Sequence, residues 1–143
     1  MSVDKKLLYQ HVSRCVWHDG LRLYDNDVPG TMKDVNVLRA AFLRLQQHNS
    51  DAEKLISDAS DNELADVLNL IEPGVEKEHN LSGHFRWVAQ HESRQTILRD
   101  LQVQGKYAEI RSLYYNYHNH NSNARYLLSC VSNGYIADLI KRL

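Results

Sequence analysis

Apolar residues recur along most of the chain at the three- and four-residue spacings of one face of an amphipathic helix. Clear examples are Leu64/Val67/Leu68/Ile71, Tyr107/Ile110/Tyr114/Tyr117, Ala124/Leu127/Leu128/Val131 and Ile136/Leu139/Ile140/Leu143. No segment alternates between apolar and polar residues over the length that a β-sheet requires. The pattern predicts an all-α fold, a single domain of seven to nine short helices packed as stacked helical hairpins.

Two segments interrupt the helical pattern. Residues 20–31 contain an Asp-Asn-Asp run and a Pro-Gly pair, so they are predicted to form a loop with a short extended piece at 21–24. Residues 73–83 start with a second Pro-Gly pair and are mostly polar. That pair is predicted to end the preceding helix, which makes 73–83 a polar connector.

A weak internal repeat runs through the helical segments. A leucine is followed seven residues later by Gly or Asn, and then by Ala, an acidic residue and an aliphatic residue. The Gly or Asn positions are Asn62, Gly105 and Gly134. Since Gly and Asn tolerate the left-handed conformation that ends helices, each is predicted to end the first helix of a hairpin. Any series of short helix–turn–helix units would also acquire this pattern, so the pattern does not by itself establish a true internal repeat.

Composition narrows the class of protein. The chain has 143 residues, of which 43% are hydrophobic and 24% charged, which is typical of one globular domain and excludes full disorder. Cys15 and Cys130 lie in apolar helical patterns and are predicted to be small core residues. Neither a signal peptide nor a membrane span is indicated, so a cytoplasmic location without membrane contact is expected.

Charge is distributed unevenly although the net charge is only −1. Residues 51–80 carry nine acidic residues against two lysines, whereas residues 84–143 carry eight basic residues, four acidic residues and six tyrosines. Two contact patches are predicted from this asymmetry. The acidic patch comprises Asp58, Asp61, Glu63 and Asp66, and the basic, Tyr-rich patch comprises Arg111, Tyr115, His118, His120 and Arg125.

The favoured function is a non-enzymatic protein-interaction module, without cofactor or metal, that binds a protein partner or a second copy of itself. An adaptor, an inhibitor or a regulator would each act in this way. The first alternative is a nucleic-acid-binding regulator, since basic residues interleaved with aromatic ones bind single strands by phosphate contact and stacking. Its residues would be Arg86, Arg94, Arg99, Arg111 and Tyr115.

The second alternative rests on Arg-His spacing. Arg86 and His91 have the Arg-x4-His spacing found in helical HEPN-type ribonucleases, and Arg111 and His118 have a looser Arg-x6-His spacing. That resemblance implies that Arg binds a phosphate and His performs acid–base cleavage at a dimer interface. Such short motifs arise often by chance, so catalysis is not the favoured expectation.

Four histidines are candidate ligands of a metal ion. His118 and His120 form a His-x-His pair, and His84 and His91 are further candidate ligands. Metal sites need three or four converging ligands with supporting partners. The pair lies in an Asn-rich stretch without nearby cysteine or carboxylate, which is more typical of solvated loop histidines.

Two family resemblances add to this interpretation. Leu38-Ala41-Phe42, Asp51-Ala52-Leu55-Ile56, Leu98, Gly105 and Asn123 together resemble the bacterial effector-associated, death-like adaptor domains. Trp87 departs from that family's pattern, because it lies ten residues before Ile97 instead of close to it. Residues 127–143 resemble an ankyrin-type hairpin. The first resemblance implies a helical adaptor that joins effectors of bacterial or phage conflict systems through contacts between like domains.

Overall fold

The computed structural model describes residues 2–25, 30–118 and 124–143. Within these ranges the chain forms eight α-helices and one 3-10 helix, and no β-sheet. The helices are α1 (Lys5–Trp17), α2 (Val35–Leu45), α3 (Ser50–Asp58), α4 (Asp61–His79), α5 (Leu81–Val88), α6 (Glu92–Val103), α7 (Tyr107–Tyr117) and α8 (Asn133–Lys141), and the 3-10 helix is Leu127–Cys130. The predicted all-α class and the predicted number of helices are confirmed.

Several helices begin where a polar side chain accepts hydrogen bonds from the free amides of the first turn. Asp4 caps α1 by accepting from two backbone amides, at 3.0 and 3.2 Å. Ser60 and Glu63 form a reciprocal capping box at the start of α4, with bonds of 3.0 and 3.1 Å. Ser132 caps α8 by accepting from the amide of Tyr135 at 3.2 Å.

The core is organised around α1 and α4, which pack together although they are distant in sequence. Both bury the apolar faces that their periodicity predicts. The fully buried residues include Leu8, Val12, Val16, Leu64, Leu68 and Ile71. The consecutive helices α2 and α3 pack as a pair, as do α6 and α7, while α8 lies against α6 and α5. The hairpins α2/α3 and α6/α7 therefore surround a central pair, α1 and α4, whose contacts are long-range in sequence.

The prediction that Pro73 and Gly74 end a helix is wrong, and so is the predicted polar connector at 73–83. Helix α4 continues through both residues, and the break lies at Asn80, which has a left-handed φ of 50°. Proline removes one backbone donor, but Ile71 and Val75 on either side of it are fully buried. Burial of this apolar face outweighs the local cost of the proline.

The predicted loop at 20–31 packs against the core in its described part. Leu23 is fully buried, and its backbone amide donates to the carbonyl of Ser129 at 3.0 Å. Tyr24 and Met32 form an isolated antiparallel bridge, in agreement with the predicted extended piece. Residues 26–29 lie outside the described residues.

The internal repeat does not correspond to one recurring turn. Gly105 follows α6 with a φ of +72°, as predicted for a residue that ends a helix. Asn62 and Gly134, in contrast, are the second residues of α4 and α8 and lack the left-handed conformation. The prediction for these two residues is wrong because Ser60 and Ser132, two positions earlier, start those helices.

Both cysteines are buried and free, as predicted. Burial raises the pKa of Cys15 to about 11, although Gln46 donates to its sulfur at 3.1 Å. The sulfur of Cys130 donates to the carbonyl of Leu127 at 2.7 Å, and burial raises its pKa as well. Raised thiol pKa values disfavour the reactive thiolate, so both residues serve packing.

Candidate functional site

Arg111 lies on α7, and its guanidinium binds acceptors of its own chain. It donates to the carbonyls of Leu128 at 3.1 Å and Val131 at 2.8 Å, and to the side chain of Asn133 at 2.8 Å. Burial is the main reason that its pKa is lowered to about 10. These bonds connect α7 to the 3-10 helix, to the segment that follows it and to the first residue of α8. The predicted role of Arg111 in partner, phosphate or substrate binding stays a prediction that this geometry does not support.

Tyr115 and Arg125 belong to a compact stack with Tyr126. The guanidinium carbon of Arg125 lies 5.0 Å from the ring centre of Tyr115 and 4.9 Å from that of Tyr126. The two tyrosine rings are 5.3 Å apart. All three side chains are half-buried, so the cation–π contacts hold them against the domain. Their predicted role in partner binding remains untested.

His118 follows α7 and is only 3% exposed. Its ring centre lies 4.7 Å from that of Tyr114, and its Nε2 atom has no hydrogen-bond partner among the residues described. Burial, and then the neighbouring His84 and Arg94, lower its pKa below the usual 6.5. The imidazole is therefore held neutral near pH 7. His120 lies outside the described residues.

Trp87 covers the outer side of this histidine. Its ring stacks on that of His118 with centres 5.9 Å apart and planes inclined by 27°, yet 59% of Trp87 is exposed. The two rings form part of an open cleft of about 420 Å³, which we call the Trp87 cleft. Its lining residues are Asn80, Gly83, His84, Trp87 and His118. None of these five is acidic.

The position of Trp87 follows from the short helix α5. The buried residues of this helix are Leu81, Phe85 and Val88. Trp87 falls outside their spacing and consequently faces solvent. Asn80 begins the helix, and its side chain accepts from the amide of Gly83 at 3.3 Å. A Cβ at Gly83 would collide with that side chain, so a larger residue there would displace the Asn80 cap.

Arg94 of α6 contacts both α5 and α7 next to the Trp87 cleft. Its guanidinium lies 4.3 Å from the ring centre of Tyr117 and donates to the carbonyl of Val88 at 3.0 Å. The hydrogen bond to Val88 satisfies a free carbonyl at the end of α5.

Trp87 was not predicted from the sequence to be a site residue. Its position outside the apolar stripe of its helix does, however, indicate that the side chain is exposed.

The two Arg-His pairs lie in different environments. Arg86 and His91 are both exposed, on α5 and immediately before α6, respectively. Arg111 binds the acceptors described above, and the imidazole of His118 is buried. Acid–base catalysis requires a histidine within reach of the substrate. A ribonuclease activity stays an untested alternative.

The predicted acidic patch is partly used to connect helices. Asp61 pairs with Arg39 of α2 at 2.9 Å, and Asp66 pairs with Lys5 of α1 at 3.0 Å. Asp58, at the end of α3, is exposed. Pairing within the chain reduces the charge that these residues can offer to a partner.

Glu63 has a similar internal role. One carboxylate oxygen accepts from the amide of Ser60 and the other from the amide of Val3 at 2.9 Å. These backbone hydrogen bonds, Ser60 first, lower the pKa of Glu63. The residue thus ties the segment before α1 to the start of α4, and its predicted partner contact is untested.

The histidine positions also bear on metal binding. His84 and His118 approach each other, with ring centres 6.1 Å apart, whereas His91 is exposed before α6. In residues 2–25, 30–118 and 124–143, no group of three or more potential metal ligands comes together. Across those same ranges, no helix combines the length and apolar character needed to cross a membrane.

Comparison with protein-family models gives no match, and comparisons with curated proteins and with solved structures give no significant match. The resemblance to death-like adaptor domains stays an expectation from the sequence.

Proposed function

We propose that the chain is a non-enzymatic protein-interaction module that docks its partner at the Trp87 cleft. The exposed indole of Trp87, stacked on the buried ring of His118, is the observation that carries this proposal. Tryptophan is among the residues most enriched in interface hot spots. An adaptor, an inhibitor or a regulator, including one of a bacterial or phage conflict system, would work through such a contact.

The energetics of Trp87 favour docking. Covering the exposed part of a tryptophan removes on the order of 150 Å² of largely apolar surface from water, which contributes about 3 kcal/mol to binding. The stack on His118 already restricts the indole. Because less side-chain freedom is lost on binding, more of that contribution appears as affinity.

The charge around the cleft favours an acidic partner segment. His84 lines the cleft, and the cationic Arg94 lies near His118, while no acidic residue is among the described lining residues. A partner segment with an apolar side chain flanked by acidic residues fits this surface. The basic groups would then favour its approach and its orientation.

The test is affinity capture from a nuclease-treated native lysate, followed by binding measurements with the purified partner. The chain is compared with Trp87→Ala and with Val103→Ala, whose side chain is 82% exposed on α6. We expect Trp87→Ala to weaken binding by about tenfold or more and Val103→Ala to leave it unchanged. Equal affinities for both variants, with folding confirmed by circular dichroism, would contradict the proposal.

Two further measurements separate the alternatives: the same capture without nuclease treatment, and an RNA cleavage assay. Nucleic acid that co-purifies and is lost with nuclease would favour a nucleic-acid-binding regulator, for which Arg86 and Arg99 are exposed. RNA cleavage abolished by His91→Ala or His118→Ala in a folded protein would favour a ribonuclease. Cleavage that survives both substitutions would exclude those histidines as its source.

A further inference from the structure

A second and larger cleft lies between α1 and the C-terminal end of α4. Its volume is about 750 Å³, within the range of small-molecule sites in proteins. The residues that matter for its chemistry are Lys6, Tyr9, Arg14, Trp17, Glu78 and His79. None of them belongs to the Trp87 cleft or was singled out by the sequence motifs.

Three rings form one wall of this cleft. Tyr9 and Trp17 meet edge to face with centres 6.2 Å apart, and Trp17 meets His79 in the same way at 4.5 Å. Gly74 allows the approach of Tyr9, since a Cβ there would overlap the tyrosine hydroxyl. A continuous surface of aromatic edges and faces suits a flat aromatic molecule.

The charges on the cleft favour an anion. Lys6 and Arg14 both line it, and neither forms an ion pair within the described part of the chain. The acidic lining residue Glu78 lies 3.5 Å from the hydroxyl of Tyr9, which donates to it. Two unpaired cations against one carboxylate leave the cleft positive.

The rings and the charges favour the same class of ligand. From them, we infer that the cleft binds a small molecule with a flat aromatic body and one carboxylate or phosphate group.

The two tryptophans provide the readout. The chain contains two, one in each cleft, so the two indole N–H signals in a 15N-correlated NMR spectrum report on the clefts separately. The probes are indole-3-acetate, indoxyl phosphate and the neutral indole-3-acetamide, all of which contain an indole ring. We expect a saturable shift of the Trp17 signal with at least one anionic probe, binding at least about tenfold weaker for the amide, and an unmoved Trp87 signal.

The tighter of the two anionic probes distinguishes a carboxylate ligand from a phosphate ligand. Arg14→Gln should weaken binding by about tenfold, while Lys54→Gln on the exposed face of α3 should not change it. The inference is overturned if neither anionic probe shifts Trp17 saturably up to about 10 mM, if the amide binds equally well, or if only Trp87 responds.

Discussion

The guanidinium of Arg111 donates to the side-chain oxygen of Asn133 at 2.8 Å, which joins the middle of α7 to the first residue of α8. The same side chain holds two carbonyls of the intervening segment. Arginine suits this position because its planar fork donates in several directions at once. Arg111 is predicted from the sequence to lie on a contact surface. In the structure it instead connects the C-terminal elements of the fold.

Arg111→Gln should lower the free energy of unfolding by about 2–3 kcal/mol, because the carbonyls of Leu128 and Val131 lose a charged donor. Urea denaturation measures the change. Arg99→Gln, at an exposed position of α6, serves as the control and should have little effect. Equal stability of the two variants would show that the Arg111 contacts contribute nothing.

Alanine at Gly105 and at Gly134 should have effects of opposite sign, although the internal repeat makes these residues equivalent. Gly105 has a φ of +72°, so Gly105→Ala should destabilise the protein by about 1 kcal/mol. Gly134 lies inside α8, where a Cβ would meet only Ser132 at 3.8 Å. Gly134→Ala should stabilise the protein by about 0.5 kcal/mol. Thermal denaturation of both variants measures the two changes in stability. If both substitutions stabilised the protein, or both destabilised it, the different conformations assigned to Gly105 and Gly134 would be refuted.

Replacing Pro73 should strengthen α4. Pro73→Ala restores a backbone donor inside a helix whose apolar face is buried, so we expect a stabilisation of about 1–2 kcal/mol. Part of the gain is offset because the unfolded chain becomes more flexible. Lys77→Ala in the same helix is the control. A loss of stability on Pro73→Ala, measured by urea denaturation, would mean that the packing of α4 needs the proline.

Acidification should destabilise the protein partly through His118, whose pKa in the folded state lies below 6.5. Well above pH 6.5 the imidazole is neutral in both states and adds no pH dependence. As the pH falls below the unfolded-state pKa, the unfolded chain binds a proton that the folded chain does not. Unfolding is then favoured until the folded-state pKa is passed.

Urea denaturation between about pH 5 and pH 7.5 tests this effect. His118→Gln cannot titrate, so its stability should fall less on acidification than that of the unchanged chain. His48→Gln, at an exposed position after α2, should retain the full pH dependence. Identical pH dependence of all three proteins would exclude His118 as a contributor.

Sequence periodicity identified the features that depend on local spacing. Ile110 and Tyr114 of the predicted Tyr107/Ile110/Tyr114/Tyr117 stripe are buried on α7. A helical repeat determines which side of a segment is apolar, and that side is buried whatever its partner. The all-α class follows from such stripes alone.

Only the tertiary structure decided which groups those helices bring together. The carboxylate of Glu72 accepts from the amide of Ser132 across 60 residues at 2.7 Å, and no local pattern predicts such a pair. Long-range packing also carries α4 through Pro73, directs Arg111 inward and leaves Trp87 exposed on His118. The physical reason is that amphipathic spacing specifies which face of each helix is apolar. Which residues pack against that face depends on how the apolar faces of all the helices are buried together.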